Sequence, residues 1–301
     1  MSAATATFTA LRPRLHGIAY RMLGSVPEAE DVVQDVWLRW HGADEQSIEN
    51  PEAWLVAATT RRAIDQLRAA RTRREQYFGI WLPEPVLTDD SATPEDLQEL
   101  ASNVSVAFLA LLERLAPEAR AAFLLREVFD EDYPEIARVL GKSEAACRQL
   151  VHRAKDQLRD ERPRFEVNRA MHASLVQRFA SAMSTGDFRS MRELLAPDAV
   201  LMGDGGGHVS SFPKPMEGGV RIAQLLYAPS IRNDRGMRIE ITRVNGEPAL
   251  LRFFGGALES VQTFAIEDGR IAAIHVQRNP EKLTRFVARK AGFAQISGTG
   301  Q

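Results

Sequence analysis

Apolar and polar positions along the chain change their spacing twice, and these changes divide it into three sections. Up to about Glu75 the apolar residues recur with helical spacing, and from residue 76 to residue 93 glycine and proline interrupt that pattern. A second helical section runs from about Leu97 to Arg162, and Pro163 closes it. The pattern therefore predicts two helical sections joined by a linker.

Beyond Arg162 the spacing becomes that of β-strands. After one more helix, from about Asn168 to Met183, apolar and polar residues alternate in the runs MRIEITRV, ALLRFF, SVQTFAIE and RIAAIHVQ. These runs are separated by dipeptides that favour tight hairpin turns, namely Asn245-Gly246, Gly255-Gly256 and Asp268-Gly269. The third section is therefore predicted to be an α+β domain.

Two helices of the first section differ in their polar faces. Ser25 and Glu28 predict a capping box at the start of one helix, whose outer face is acidic and amide-bearing. The other helix, from about Pro51 to Arg74, carries six arginines from Arg61 onward against Asp65 as the only acid in that stretch. Such a run suits contact with phosphates, and a solvated helix end is the alternative interpretation.

A helix-turn-helix pattern lies in the second section, between Tyr133 and Arg159. A short helix with one apolar face is followed by Gly141, which suits a tight turn, and by Ser143, which suits a helix N-cap. In the second helix apolar residues recur every four positions, and the polar side chains lie elsewhere on its surface. Because a major groove admits one helix, and Arg and Gln read base edges there, this helix is a candidate for DNA recognition. Its candidate contacts are Ser143, Arg148, Gln149, His152, Arg153 and Lys155.

Overall composition would not by itself suggest a nucleic-acid-binding protein. The 38 Lys and Arg residues face 40 Asp and Glu residues, so the net charge is -2 and any electrostatic footprint must be local. The single cysteine, Cys147, excludes an intramolecular disulfide and a multi-cysteine zinc site. No apolar run approaches a membrane span, and no signal segment precedes the first helix, so we expect a cytoplasmic protein without membrane contact. No motif indicates a cofactor or a bound metal.

Three motifs in order resemble the extracytoplasmic-function sigma factors of bacterial RNA polymerase. They are AEDVVQDVWLRW at 29 to 40, WLVAATTRRAIDQLR at 54 to 68, and the helix-turn-helix. The resemblance implies core RNA polymerase and promoter DNA as partners, and it covers about the first 165 residues. The implied polymerase-binding residues are Asp31, Gln34, Asp35 and Leu38, and the implied −10 contacts are Arg61, Arg62, Arg68 and Arg71. The Ser143 to Arg159 helix would read the −35 element. Relatives usually have Asn where this chain has Arg61, so no specific −10 base contact is assigned there.

Three further motifs resemble the signatures of the sigma-factor subgroup with a fused SnoaL-like C-terminal domain. They are WLPEP (Trp81, Leu82, Pro83, Glu84, Pro85), DGGGH (Asp204, Gly205, Gly206, Gly207, His208) and NPEKL (Asn279, Pro280, Glu281, Lys282, Leu283). The resemblance implies that these residues form a regulatory contact between the sigma part and the SnoaL-like domain. Lysine is more usual at His208, and Asp at Glu281. Trp81 and the neighbouring prolines also have the rigid, aromatic character of a docking peptide.

The SnoaL-like resemblance raises an enzymatic alternative, because that fold is shared with cyclases and ketosteroid isomerases. Asp204, His208 and His275 are the candidate acids or bases, although Asp204 suits a turn and His275 suits a structural role in a strand. A shared fold does not confer catalysis, so we expect no enzyme. A small-molecule ligand of unknown identity in this domain, and a plain helix-turn-helix regulator, are the remaining alternatives.

The expected architecture is therefore two all-α sigma domains followed by an α+β SnoaL-like domain of the nuclear transport factor 2-like class. The expected boundaries are 1–80 for the polymerase and −10 domain, 81–105 for the linker, 106–165 for the −35 domain and 166–301 for the regulatory domain. The expected function is promoter-directed transcription initiation, regulated in cis by the last domain.

Overall fold

The computed structural model of the protein describes residues 3–44, 48–88, 104–159, 169–231 and 236–287. These residues fall into two compact units. The described part of the first unit is 3–44, 48–76 and 108–159, and that of the second is 77–88, 104–107, 169–231 and 236–287. The segments on both sides of residues 89–103 thus group with the C-terminal section, and not with the helices that they connect.

The first unit is built from helices. The first helical domain contains α1 (Ala3–Leu23), α2 (Val26–His41) and α3 (Pro51–Glu75). The second contains α4 (Val106–Leu112), α5 (Pro117–Glu127), α6 (Tyr133–Leu140) and α7 (Glu144–Arg159). Both helical sections are thus as the spacing of apolar residues predicts, and the expectation of a helix from Leu97 lies partly outside the described residues.

The start of α2 differs from the sequence prediction. Ser25 is the N-cap, but its side chain makes no capping hydrogen bond, so the capping-box prediction is wrong. The Glu28 carboxylate instead accepts a hydrogen bond from Arg73 at 2.7 Å and also lies 3.6 Å from Arg74. A charge-assisted bond to arginine is stronger than one to a neutral amide, which explains why Glu28 does not turn back to the helix start.

The second unit is an α+β domain, as the alternating pattern predicts. Its helices are α8 (Arg169–Thr185), α9 (Phe188–Leu194), α10 (Gly219–Ile231) and a final helix, α11, which the structure describes over 280–287. Its strands are β1 (Leu195–Asp204), β2 (Met216–Glu217), β3 (Arg238–Val244), β4 (Glu247–Phe254), β5 (Ala257–Glu267) and β6 (Arg270–Gln277). The sheet order is β2-β1-β6-β5-β4-β3, and β1 pairs parallel to β6 while the other pairs are antiparallel.

The two faces of this sheet are covered by different parts of the chain. One face packs against α8, α9 and α10 around the buried rings of Phe179 and Phe264. The other face, which includes Leu251 and Val261, packs against α11 and also against Leu87 and Val106. Burying a side chain of this size stabilises a fold by about 1.5–3 kcal/mol. The residues on both sides of 89–103 are therefore part of the domain core.

Candidate functional site

The outward face of α2 carries the side chains that the resemblance assigns to polymerase binding. Asp31 and Gln34 are exposed, and Leu38 is 63% exposed. Asp35 is half-buried and accepts a hydrogen bond from Arg62 Nε at 2.6 Å. Two residues predicted to contact different partners, Asp35 and Arg62, thus bind each other in this structure.

A cleft of about 440 Å³ lies beside this face, between α1 and α2. Gln34 forms part of its wall, and Phe8 and Trp37 form an apolar side with ring centroids 4.8 Å apart. Arg12 and Glu30 add charged groups to its lining. The predicted polymerase-binding face is therefore continuous with a concave, partly apolar surface, which the spacing of residues along α2 alone does not reveal.

The arginines of α3 contact the second helical domain. Arg61 donates from Nε to the carbonyl oxygen of Val139 at 2.8 Å and from Nη2 to that of Arg138 at 2.7 Å. Carbonyl groups in the last turn of a helix such as α6 lack helical partners, so they are strong acceptors. Arg68 binds the carboxylate of Glu118 at 2.8 Å. Arginines predicted to face the −10 element are thus bound by groups of the other helical domain.

The turn after α4 is held by two more arginines of α3. Arg71 donates to the carbonyl oxygens of Glu113, at 3.1 Å, and Leu115. Arg74 binds one oxygen of the Glu113 carboxylate, and the fully buried Arg120 binds the other at 2.6 Å. Burial raises the pKa of Glu113, but the charges of Arg120 and Arg74 outweigh burial and hold that pKa below its usual value. Glu113 is therefore an ionised link between the two helical domains.

Helices α6 and α7 form the predicted helix-turn-helix. Gly141 follows α6 with a φ of 63°, in the left-handed region that glycine adopts without strain. Ser143 Oγ accepts a hydrogen bond from the amide of Ala146 at 3.2 Å, so the predicted N-cap is confirmed. The buried face of α7 consists of Cys147, Val151, Ala154 and Leu158.

The outer face of α7 is exposed, and several of its cations have partners on the protein. Arg148 binds Glu144 at 3.0 Å and lies 4.5 Å from the ring centroid of Tyr133. Lys155 pairs with Glu127 at 2.8 Å. The other exposed side chains predicted to contact DNA from this helix are Gln149, His152 and Arg153. Because surface ion pairs of this kind contribute only about 0–1 kcal/mol, they yield readily to phosphate groups.

In the second unit, the WLPEP segment contacts Asp204, the last residue of β1. Asp204 is fully buried, and its Oδ2 accepts hydrogen bonds from the amide of Leu82 at 3.0 Å and from Lys282 Nζ at 2.7 Å. Lys282 Nζ also donates to the carbonyl oxygen of Leu82 at 2.6 Å and lies 4.4 Å from the ring centroid of Trp81. The structure thus brings one residue from each of the three signature motifs into direct contact.

The DGGGH loop approaches the NPEKL segment through its glycines. Gly206 has a φ of +66°, and a Cβ at this position would lie 2.5 Å from the side chain of Asn279. Asn279 donates to the hydroxyl of Tyr77 at 2.9 Å, and this hydroxyl donates to Asp204 Oδ1 at 2.6 Å. Burial and the adjacent Asp204 raise the pKa of Tyr77, so its hydroxyl keeps the donated proton. Only glycine at 206 permits this approach.

Two further pairs join the signature segments. Glu84 is buried and accepts a hydrogen bond from Arg285 Nε on α11 at 2.8 Å. His208 and Glu281, the two positions at which the chain departs from the usual signatures, face each other at 3.6 Å and are largely exposed. The other signature residues are Pro83, Pro85, Gly205 and Leu283, which are buried, and Gly207 and Pro280, which are exposed. Sequence reasoning missed Tyr77 and Arg285, which lie just outside the motifs.

Asn245, in the turn between β3 and β4, binds the chain on both sides of residues 89–103. Its Oδ1 accepts from the amide of Val86 at 2.9 Å, and its own amide donates to the carbonyl oxygen of Val86 at 2.8 Å. Its Nδ2 donates to the carbonyl oxygen of Val104 at 3.2 Å. Next to it, the amide of Gly246 donates to Thr88 Oγ1 at 2.9 Å. From the sequence, Asn245 is recognisable only as a turn former.

Comparisons with known proteins match both helical domains. The Sigma-70 region 2 family matches residues 7–73, and the Sigma-70, region 4 family matches residues 105–158. The ECF RNA polymerase sigma factor SigJ of Mycobacterium tuberculosis is 35% identical over 98% of this chain and 97% of its own length. The chain belongs to the extracytoplasmic-function sigma factors. The probable sigma factor SigI of the same species is 32% identical over 96% of this chain and 97% of its own length.

The crystal structure of SigJ extends this similarity to the architecture. It matches with a TM-score of 0.75 at 32% identity, over 93% of this chain and 98% of that chain. The region 2 domain is thus α1–α3 and the region 4 domain is α4–α7. The α+β domain, which we call the SnoaL-like domain, is fused after them as the sequence predicts. The chain is a sigma factor that directs RNA polymerase to promoters, and sigma factors bind core polymerase and promoter DNA. None of the described helices is long and apolar enough to cross a membrane.

The three candidate catalytic residues do not come together in a shared pocket. Asp204 is fully buried and bound by donors from the linker and α11, whereas His208 is exposed in the loop that follows β1. His275 is buried in β6, beside Met202 of β1 and Thr263 of β5. Within the described part of the chain, no three His, Cys, Asp or Glu side chains are grouped as a metal ion requires. This arrangement favours structural roles for Asp204 and His275.

The SnoaL-like domain should lose stability on acidification through His275. Burial lowers the pKa of His275 to about 4, so between pH 6.5 and 4 the unfolded chain takes up a proton that the folded domain does not. The free energy of unfolding therefore falls across this range, by about 3 kcal/mol when complete. Urea unfolding of the full chain at several pH values measures it.

The contribution of His275 is obtained as a difference between variants. Burial raises the pKa of Glu247 to about 7, which opposes the histidine effect in part of the same range. The His275→Gln variant should therefore be compared with wild type at each pH, and His208→Gln, at an exposed position, is the control. The same pH dependence in wild type and His275→Gln would contradict the assignment.

Proposed function

We propose that this sigma factor binds its partners through three surfaces and is restrained in cis until polymerase binds. The polymerase surface is Asp31, Gln34, Asp35 and Leu38 of α2. The −10 surface is Arg61, Arg62, Arg68 and Arg71 of α3. The −35 surface is Ser143, Arg148, Gln149, His152, Arg153 and Lys155 of α7 and its N-cap.

The observation that carries this proposal is the binding of α3 arginines by the region 4 domain. Arg61 and Arg71 donate to backbone carbonyl oxygens there, and Arg68 binds Glu118. The guanidinium groups of Arg61 and Arg71, which carbonyl oxygens of region 4 hold, are not available to a phosphate or a base. In the free protein the −10 surface is therefore occupied while the −35 helix stays exposed. Polymerase completes promoter recognition by separating the two helical domains.

The SnoaL-like domain acts by contact and not by catalysis. Its polar contacts with the chain that links region 2 to region 4 run from Asp204 and Lys282 to Leu82 and from Arg285 to Glu84. The groups that could serve as acid or base are used for structure or are dispersed. The interface formed by WLPEP, DGGGH and NPEKL is thus the regulatory contact, and its function is to position the linker.

Runoff transcription with purified core polymerase tests the proposal. The free protein should bind promoter DNA weakly, and together with core enzyme it should initiate at a defined start. Its net charge of -2 and its occupied α3 arginines both weaken binding by the free protein. Tight, specific operator binding by the free protein, with no transcription from any promoter in the presence of core enzyme, would refute it.

Single substitutions should separate the surfaces. Arg148→Ala or Arg153→Ala should lower promoter affinity of the holoenzyme about tenfold or more, as expected for loss of an arginine that reads guanine, and leave core binding unchanged. Gln34→Ala or Leu38→Ala should weaken core binding. Arg189→Ala is the matched control, because Arg189 pairs with Glu193 four residues away on its helix, as Arg148 does with Glu144. Promoter affinity that is equal in Arg148→Ala, Arg153→Ala and Arg189→Ala at every salt concentration would show that this helix face does not read DNA.

A further inference from the structure

The two described ends of the chain that joins region 2 to region 4 are held on the SnoaL-like domain. Helix α3 ends at Glu75, and the described residues 77–88 and 104–107 both group with the second unit. Region 2 and region 4 are therefore connected by segments whose two ends are held on one domain. The reach of the connection between the two promoter-binding domains depends on how firmly each end is held.

The first end is held by many contacts. Leu82 and Leu87 are buried, Glu84 pairs with Arg285, and the amide of Leu82 binds the Asp204 carboxylate. Two buried leucine side chains, the buried Glu84 and a hydrogen bond to the buried Asp204 give this segment several anchors that must be broken together. Residues 77–88 therefore remain on the SnoaL-like domain when polymerase separates region 2 from region 4.

The second end depends on fewer groups. Val106 is buried against the sheet, and the carbonyl oxygen of Val104 accepts a hydrogen bond from Asn245 Nδ2. The same side chain accepts from the amide of Val86. One amide group thus brings together two points of the chain, Val86 and Val104, whose intervening residues could extend to about 60 Å. Asn245, together with the buried Leu87 and Val106, keeps the linker from using that reach.

We propose that Asn245 is a positioning residue that fixes the length of the linker, and thereby sets the spacing between −10 and −35 elements that the holoenzyme accepts. The inference rests on the proposed function, because both promoter elements must be bound at once by domains joined through this linker. A joined linker limits the separations that region 2 and region 4 can adopt. A linker whose second end is released allows a wider range of separations between the two domains, since the effective reach of a tether depends on its length.

The test is runoff transcription by holoenzyme from a promoter series in which the spacer is lengthened or shortened by one to three base pairs. Asn245→Asp keeps the acceptor for Val86 but replaces the donor to Val104 with a carboxylate oxygen, so it releases the second end alone. Relative to the optimal spacer, transcription from altered spacers should rise about fivefold to tenfold, the factor expected for one lost buried hydrogen bond. Asn245→Gly, which removes both side-chain bonds, should have the same effect.

Asp268→Gly is the matched control. Asn245 and Asp268 both have a positive φ, 52° and 48°, and each precedes a glycine in a hairpin turn of the same sheet. Asp268 is exposed at the turn between β5 and β6. Asp268→Gly should keep the wild-type spacer profile. Circular dichroism melting confirms that each variant is folded before its profile is interpreted.

A second experiment shortens the linker covalently. In the full chain carrying Asn245→Gly, residues 90–102 are replaced by two glycines, so that a short connection takes over the function of the Asn245 side chain. This variant should return to the narrow spacer profile, whereas loss of a merely structural hydrogen bond would not be repaired by shortening the chain.

The outcomes separate this inference from the proposed function. Absence of transcription by wild type with core enzyme overturns the sigma-factor surfaces themselves. Normal transcription, with one spacer profile for wild type, Asn245→Asp and Asn245→Gly, overturns the role of Asn245 and leaves the proposed function intact. A broadened profile that the shortened linker does not restore also overturns it.

Discussion

Replacing Asp204 with asparagine should destabilise the SnoaL-like domain by about 3–5 kcal/mol, the range for breaking a buried ion pair from one side. The variant leaves the Lys282 ammonium, which is 7% exposed, without its carboxylate. The two carboxylate oxygens accept from the amide of Leu82 and from the hydroxyl of Tyr77, and asparagine replaces one of these oxygens with an NH2 group that cannot accept. We expect residues 77–88 to be released together with this loss, because their polar anchor is Asp204.

Denaturant unfolding measures the loss, and amide hydrogen exchange at Leu82 measures the release. Lys282→Met alone should be similarly harmful, whereas the double variant Asp204→Asn with Lys282→Met should be less destabilised than the sum of the two, because no buried charge remains unpaired. Glu281→Gln, which affects only the exposed pair with His208, should change stability by less than about 1 kcal/mol. Unchanged protection at Leu82 in Asp204→Asn would contradict the anchoring role.

The same variant distinguishes contact from catalysis in the SnoaL-like domain. A catalytic acid can be lost with little change in stability, whereas an anchor cannot, because its hydrogen bonds support the fold. Asp204 accepts hydrogen bonds from donors on three segments of the chain, namely Tyr77, Leu82, Gly206, Gln277 and Lys282. We therefore expect the effect on transcription to follow the exposure of the linker, and no substrate turnover to depend on this carboxylate.

Local patterns predicted most of the helices and hairpins, because those elements depend on neighbouring residues. The spacing of apolar residues in α2, the cap at Ser143 and the turn at Asn245-Gly246 are all local, and the structure confirms them. Strand β1 was not predicted. Its parallel pairing with β6 joins segments about seventy residues apart, and such register depends on the tertiary fold and not on a short motif.

The candidate site was predictable only in part for the same reason. The three signature motifs were identified by resemblance, but that Lys282 and Leu82 both bind Asp204 depends on the packing of α11 and the linker on the sheet. The arginines of α3 were recognisable as a cationic run, whereas their binding to carbonyl oxygens of the region 4 domain was not. Arg61 is an example. The carbonyl oxygens at the end of α6 can accept its hydrogen bonds only because the tertiary fold brings α3 and α6 together.

Glu113→Gln should destabilise the paired helical domains and, at the same time, strengthen binding to core polymerase. Glu113 binds Arg74 of region 2 and the fully buried Arg120 of region 4, so loss of its charge leaves a buried guanidinium uncompensated. Breaking such a pair costs about 3–5 kcal/mol of stability. If polymerase must separate the two domains, part of this energy no longer opposes binding, and core affinity should rise about tenfold or more, which corresponds to at least 1.4 kcal/mol.

The opposite signs of the two effects make this prediction specific. A purely structural defect would lower both the unfolding free energy and the core affinity, whereas a restraint that polymerase must break lowers the first and raises the second. Glu135→Gln is the matched control, because Glu135 pairs with Arg138 inside α6 at a partly exposed position, and its loss should change either quantity by less than about 1 kcal/mol. Unfolding curves and fluorescence titration with core enzyme provide the two measurements. Core affinity in Glu113→Gln that is no higher than in Glu135→Gln would mean that the contacts of α3 with region 4 do not restrain polymerase binding.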